Sequence, residues 1–497
     1  MRHTSRKPFL AAAFFSLAAT LSLPMNQGAL ARKGGSKLPR KELRARRNLQ
    51  QQLRKIYRKK AAREGTFALQ IKLLNGPVIF ARNGYKRLHP ASCMKLLTSA
   101  TVLRKLTPKY RFDTVLAGDR HGDTLKSPLY LWGQGDPSLT HDDLAKMAAE
   151  LAGRGVKKIP KGIRVDDSYF VHRRFPPGFG RPSPKSYIAP TGAVSINGNT
   201  VTVDIRPEKK GGKCTASVTV RPPSDHVTLS SSVRCRQGKS WLRVAAKKKG
   251  KMVHIIARGS VKPDASPFSV RRRVFYPSLY AGETLKHLLQ AKGVKVGKVA
   301  RGKKPPTVKT LTRHRSKPLQ EIVTHMNRFS DNHYAEQLLK VVGAKTMGTP
   351  GSTKKGLEVV RRFLARAGVK RNHYVLANGS GLFANTRLSP KAIVKFLQRV
   401  STLKWLQDKL VASLPLAGRN GTLAHRMDGT AAEGSVRAKT GTLRSVSTLS
   451  GYVLDRKKRP VVLFSILHNG IKGSVRRSRA LQDEITKALS KYVDAWR

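Results

Sequence analysis

The chain of 497 residues carries 99 Lys and Arg against 27 Asp and Glu, a formal net charge of +72. Its length allows two or three domains, and 39% hydrophobic residues are enough for real cores. Beyond the N-terminus no stretch is apolar enough to span a bilayer as a helix. The charge favours anionic partners: nucleic acid, anionic lipid or acidic wall polymers.

The first 31 residues read as an export signal. Arg2, Arg6 and Lys7 form a basic start, Phe9 to Leu23 an apolar run, and Ala29-Leu30-Ala31 a small-residue cleavage site. The alternative, a membrane anchor, fits less well because the run is short and a cleavage site follows. A mature protein beginning near Arg32, in the periplasm or cell envelope, leaves nucleic acid a poor partner. No transmembrane anchor would remain after cleavage.

Residues 32 to 65 form a basic N-terminal segment. Lys41 to Arg63 has helical composition, with Leu43, Leu49, Leu53 and Tyr57 at helical spacings. Two readings stay open there, an exposed basic helix or tail and a specific docking element. Thr66 to Ile71 and Pro77 to Arg82 read as strands around Asn75-Gly76, a hairpin signal.

His89-Pro90-Ala91 then leads into a helix predicted from Ser92 to Leu106. Ser92 and Lys95 stand three apart and share a helix face. A serine hydroxyl is a poor nucleophile until a neighbour takes its proton, and a lysine can do so only when neutral. A helix N-terminus also offers N–H groups to a developing oxyanion. The spacing alone is weak, since Ser352-Lys355 and Ser401-Lys404 repeat it. Company strengthens it: Ser330-Asp331-Asn332 and Lys439-Thr440-Gly441 follow in order.

Residues 110 to 275 are rich in short alternating runs, Gly, Pro and basic turns, with one helix between His141 and Ala152. They read as an inserted, mainly β region of two subdomains. Gly133-Gln134-Gly135-Asp136-Pro137 is a loop without the spacing of a phosphate cradle. Cys214 and Cys235 bracket two alternating runs joined at Pro222-Pro223-Ser224-Asp225, which predicts a hairpin tied by a disulfide. Cys93 reads as a buried small hydrophobe.

Helices are predicted at Ala281–Lys292, Pro318–Arg328, Asn332–Val342, Thr353–Ala367, Ser389–Val400 and Arg479–Trp496. Strands are predicted at Ser435–Leu443, Ser447–Leu454 and Pro460–Leu467. In the last helix Leu481, Ile485, Leu489 and Val493 recur every four residues, a packing face. Two strands near the start and three near the end predict one antiparallel five-stranded sheet flanked by helices.

On these motifs the chain resembles the D-alanyl-D-alanine carboxypeptidase/endopeptidase family of class C penicillin-binding proteins. The residues that carry the resemblance are Pro90 to Thr98, Asn327 to Glu336, Asn378-Gly379-Ser380-Gly381-Leu382, Leu414 to Gly418, Gly421-Thr422-Leu423 and Val436 to Leu443. Leu131 to Thr140 and Val165-Asp166-Asp167-Ser168 match the family's inserted region. The long gap from Ser92 to Ser330 is where this family carries extra domains. A second serine-any-asparagine, Ser195-Ile196-Asn197, lacks a following helix and is set aside. Cys93, Asn378 and Asn420 depart from the family's usual threonine and aspartates.

The resemblance implies an α+β fold: a penicillin-binding/β-lactamase-like domain in two parts, 66–109 and 276–497, interrupted by the insertion 110–275. It implies a serine peptidase acting on peptidoglycan stem peptides and acylated by β-lactams. Ser92 is the expected nucleophile, Lys95 the base, Ser330 the relay to the leaving amine with help from Lys439, and Asn332 the group orienting Lys95. Thr440, Gly441 and Thr442 are the expected substrate-binding residues. The N–H groups of Ser92 and Thr442 would form the oxyanion hole. No cofactor or metal is expected, since no His-Glu-x-x-His pair occurs. The rivals are a β-lactamase-like hydrolase and a non-catalytic basic protein that binds anionic envelope polymers.

Overall fold

A computed structural model describes residues 40–179, 183–211, 213–383 and 385–496. The expected export signal and cleavage site lie outside the described residues. The central sheet has five antiparallel strands in the order Val78–Arg82, Thr66–Leu73, Pro460–Asn469, Val446–Leu454, Val436–Leu443. Both ends of the chain build it, as the strand pattern predicts.

Helices cover both faces. Alternate residues of Pro460–Asn469 therefore enter two cores, with Leu463 and Leu467 on one side and Val462, Phe464 and Ile466 on the other. The first core contains the Met94–Leu106 and Asn332–Met347 helices. The second is closed by the C-terminal helix Val475–Trp496 through Leu481, Ile485, Leu489 and Val493.

The basic helix Arg40–Arg58 packs on that second face. Leu49, Leu53 and Ile56 are buried there at spacings of four and three, while Leu43 stays exposed. Lys59 pairs with Glu484 of the C-terminal helix at 2.8 Å, and Gln50 donates to the Ile79 carbonyl at 2.8 Å. The exposed tail is thus replaced by a helix seated on its own domain. Apart from the buried Glu42, most of its charges lie off the apolar stripe and are exposed.

Among the described residues the inserted region and the strands that follow it form four sheets. Its first strand, Asp113–Ala117, pairs antiparallel with Thr310–Arg315. The chain therefore leaves and rejoins along neighbouring strands, and strand pairing ties residues 295–315 to the block expected to end at 275. The Cys214–Cys235 disulfide is present, but the predicted hairpin is not. Lys213–Arg221 pairs with Thr200–Lys210, whereas Val227–Cys235 runs parallel to Met252–Val261. The disulfide bridges two sheets instead of closing a ladder. A helix at Lys404–Ser413, burying Leu406, Leu410 and Val411, was not predicted.

Candidate active site

The helix that carries Ser92 begins as a 3-10 turn, Ala91–Cys93, and continues as α-helix from Met94 to Leu106. Its start is fastened to the sheet. Thr448 Oγ1 donates to the Pro90 carbonyl at 2.8 Å, and Cys93 Sγ lies 3.2 Å from the Lys439 carbonyl oxygen. A Cβ on Gly441 would sit 2.8 Å from the Ser92 nitrogen and 2.9 Å from Ala91 Cβ. Only glycine lets the strand Val436–Leu443 lie this close to the helix start. Cys93 is buried, as expected for a packing residue.

Lys95 is fully buried beneath Ser92. Its Nζ lies 2.9 Å from Ser92 Oγ, 2.6 Å from Asn332 Oδ1 and 3.1 Å from the Ser380 carbonyl oxygen. A neutral amine has two N–H donors and one lone pair. The Asn332 and Ser380 oxygens accept only, so they take the two protons. The lone pair is then left facing the Ser92 hydroxyl. Burial pushes the Lys95 pKa well below its ordinary 10.5, and the charge of Lys439 pushes the same way. Asp331 and Glu336 oppose that shift, and burial outweighs them.

The supports of Lys95 are themselves held. Asn332 Nδ2 donates to the Tyr187 carbonyl at 3.0 Å, which fixes the amide with its oxygen toward Lys95. Tyr187 belongs to the inserted region, so that region reaches the site. Glu336, one turn beyond Asn332, accepts from the Gly379 and Ser380 N–H groups at 3.1 and 2.8 Å. Thr98 donates to the Gly379 carbonyl at 2.7 Å. Sequence reasoning gave Ser380, Glu336 and Tyr187 no role. Two of them act through main-chain carbonyls, which a side-chain motif does not reveal.

Ser330 has φ 57 and sits just before Asp331, whose side chain caps the Asn332 helix by accepting from Tyr334 N–H at 3.1 Å. Ser330 lines the same groove as Ser92. Lys439 is fully buried, and burial pushes its pKa down to about 8. Its Nζ donates to the Thr440 carbonyl at 3.0 Å. Ser352, in one repeat of the serine–lysine spacing, is a helix cap that accepts from Lys355 N–H.

The groove measures about 490 Å³ and is lined by Ser92, Tyr187, Ser330, Asn332, Thr440 and Thr442, among others. One wall is the edge of the sheet. Up to Ala438 that edge is covered, since Ala417 donates to the Val436 carbonyl and Ala438 to the Pro415 carbonyl. Past Lys439 the strand borders the groove, where an extended peptide can lie along it. Among the described residues no cluster of His, Cys, Asp and Glu could hold a metal ion.

The profile of the D-Ala-D-Ala carboxypeptidase 3 (S13) family matches residues 35–492. The chain belongs to this family. It is 34% identical over 438 residues to a D-alanyl-D-alanine carboxypeptidase of Actinomadura sp. strain R39, covering 84% of this chain and 79% of that one. It is 26% identical over 413 residues to the D-alanyl-D-alanine carboxypeptidase DacB of Haemophilus influenzae, covering 80% and 84%. The crystal structure of penicillin-binding protein 4 from H. influenzae superposes with a TM-score of 0.73 at 24% identity, over 90% of this chain and 99% of that chain. The penicillin-binding/β-lactamase-like fold is therefore shared. The protein is a serine peptidase of the D-Ala-D-Ala carboxypeptidase class. Among the described residues no helix is long and apolar enough to cross a membrane.

Proposed function

We propose that Ser92 attacks the carbonyl of a terminal D-alanyl-D-alanine bond in a peptidoglycan stem peptide and becomes acylated. The observation that carries this reading is the buried amine of Lys95, within hydrogen-bond distance of two obligate acceptors and of the Ser92 hydroxyl. Lys95 takes the hydroxyl proton as the C–O bond forms. The N–H groups of Ser92 and Thr442 hold the oxyanion. Ser330, at the groove rim, passes a proton to the leaving amine as the C–N bond breaks, with Lys439 supplying nearby positive charge. Asn332 keeps Lys95 in register, and Thr440 and Thr442 bind the terminal carboxylate. Gly441 allows the close approach of strand and helix. Water then hydrolyses the ester.

β-Lactams present a strained amide to the same serine and form an adduct there. The same geometry serves an endopeptidase reaction on cross-linked stems. The enzyme works in the cell envelope after export, and its distributed charge holds it on anionic envelope polymers. The insertion between residues 110 and 275 serves as an accessory block of two subdomains that shapes the groove through Tyr187. Release of D-alanine from a synthetic stem pentapeptide tests the reaction. It is expected from the wild type and absent in Ser92→Ala, and undiminished release from Ser92→Ala would refute the assignment.

A further inference from the structure

The C-terminal helix places a cation against Thr442, a residue of the groove wall. Arg479 Nη2 donates to Thr442 Oγ1 at 3.2 Å. Because that hydroxyl oxygen accepts from Arg479, its own proton is free to point at a ligand. The turn carrying Arg479 is pinned. Arg426 donates to the Arg479 carbonyl at 3.4 Å and pairs with Asp483 at 2.6 Å, both partners mostly buried. Among the described residues no carboxylate lies within ion-pair distance of Arg479, whereas its neighbour Arg477 is paired with Glu64.

Lys439 is poorly placed to meet a substrate carboxylate. It is fully buried and its amine donates to the Thr440 carbonyl. The hydroxyls of Thr440 and Thr442 offer hydrogen bonds without charge. Two guanidinium groups are near this edge of the strand: Arg444 lines the groove, and Arg479 is already bonded to the threonine that would bind the carboxylate. Such charge-assisted bonds are roughly twice as strong as neutral ones.

We propose that Arg479 is a specificity residue, anchoring the substrate carboxylate next to the scissile bond through the Thr442 hydroxyl and its own remaining N–H groups. This inference rests on the substrate reading above. It makes a free carboxylate, and not only the D-Ala-D-Ala backbone, a requirement for efficient acylation.

The test compares acylation of full-length protein by benzylpenicillin, which carries a carboxylate, and by its methyl ester, which does not. Second-order rate constants are read by mass spectrometry at Ser92. The wild type should prefer the free acid. Arg479→Gln should slow the free acid about tenfold or more and the ester less than about twofold. Arg479→Lys should recover part of the loss, as a point charge without the planar fork. Equal losses on acid and ester indicate a structural role for Arg479 and overturn the proposal, as does no loss on either. Discrimination lost in Arg444→Gln but kept in Arg479→Gln would assign the role to Arg444 instead. A wild type acylated at Ser92 at equal rates by acid and ester sinks this inference alone. A wild type not acylated at Ser92 sinks it together with the reading it rests on.

Discussion

Replacing Leu49 and Leu53 by alanine should destabilise the catalytic domain severely, although both lie in the most basic part of the chain. Each is 2% exposed and packs in the core under the sheet, among residues that include Phe67, Ile79 and the C-terminal helix. Buried Leu→Ala changes cost roughly 2–5 kcal/mol each, from lost transfer energy and the cavity left behind. The two sites are one helical turn apart, so their effects need not add. A double loss of about 4–8 kcal/mol is still comparable with the whole stability of a typical domain, roughly 5–15 kcal/mol. Urea unfolding followed by tryptophan fluorescence reads it directly. Trp496 lies on the helix that closes the same core, with its ring 5.8 Å from Tyr492. The midpoint should fall sharply in the double variant and hardly move in Leu43→Ala, since Leu43 is exposed. An unchanged midpoint in Leu49→Ala/Leu53→Ala would show that the basic helix is peripheral. By the same reasoning a chain begun at Glu64 should lose stability, so the role of charge is better tested by surface substitutions.

Three further outcomes follow from the site and the surface. Acylation requires neutral Lys95, so its rate should rise with pH through a pKa well below 10.5 and then level off. Lys439→Gln removes a neighbouring positive charge, so the rising limb should move to higher pH; an unmoved limb in stopped-flow acylation would disprove the coupling. Gly441→Ala should slow acylation by about 100-fold or more, because the added methyl displaces the Ser92 nitrogen by its 2.8 Å contact, and a near-normal rate would contradict the close approach. Arg44, Arg47 and Arg54 are exposed on the basic helix. Their triple change to glutamine should weaken retention on sacculi at low salt and leave hydrolysis of a small peptide intact, whereas equal retention at low and high salt would rule out electrostatic holding.

The sheet was legible because its strands are short β-rich runs bounded by plain turns, the central ones buried on both faces. Of the site, the sequence offered side chains that the fold brings together. Ser92, Lys95 and Asn332 meet through direct bonds, and Lys439 lies beneath the groove that Ser330, Thr440 and Thr442 line. The parts that escaped are of two kinds. The Ser380 and Tyr187 carbonyls act through backbone, which any residue type provides, so only the folded turn reveals them. Strand partners in the insertion are set by distant chain. Pro222-Pro223-Ser224-Asp225 is a good local turn, yet Val227–Cys235 finds its partner beyond it in parallel register. Arg479 was hidden in another way. Its helix shows a clear packing stripe, and that pattern does not say where the polar residues between the stripe positions point.

The most direct measurement is intact-protein and peptide mass spectrometry after incubation with benzylpenicillin. The account predicts a single adduct on Ser92, absent in Ser92→Ala and Lys95→Ala, with both variants still folded by circular dichroism. It also predicts that the adduct persists in Ser352→Ala, whose hydroxyl caps a helix. An adduct on any other serine, or near-normal acylation in Lys95→Ala, would contradict it.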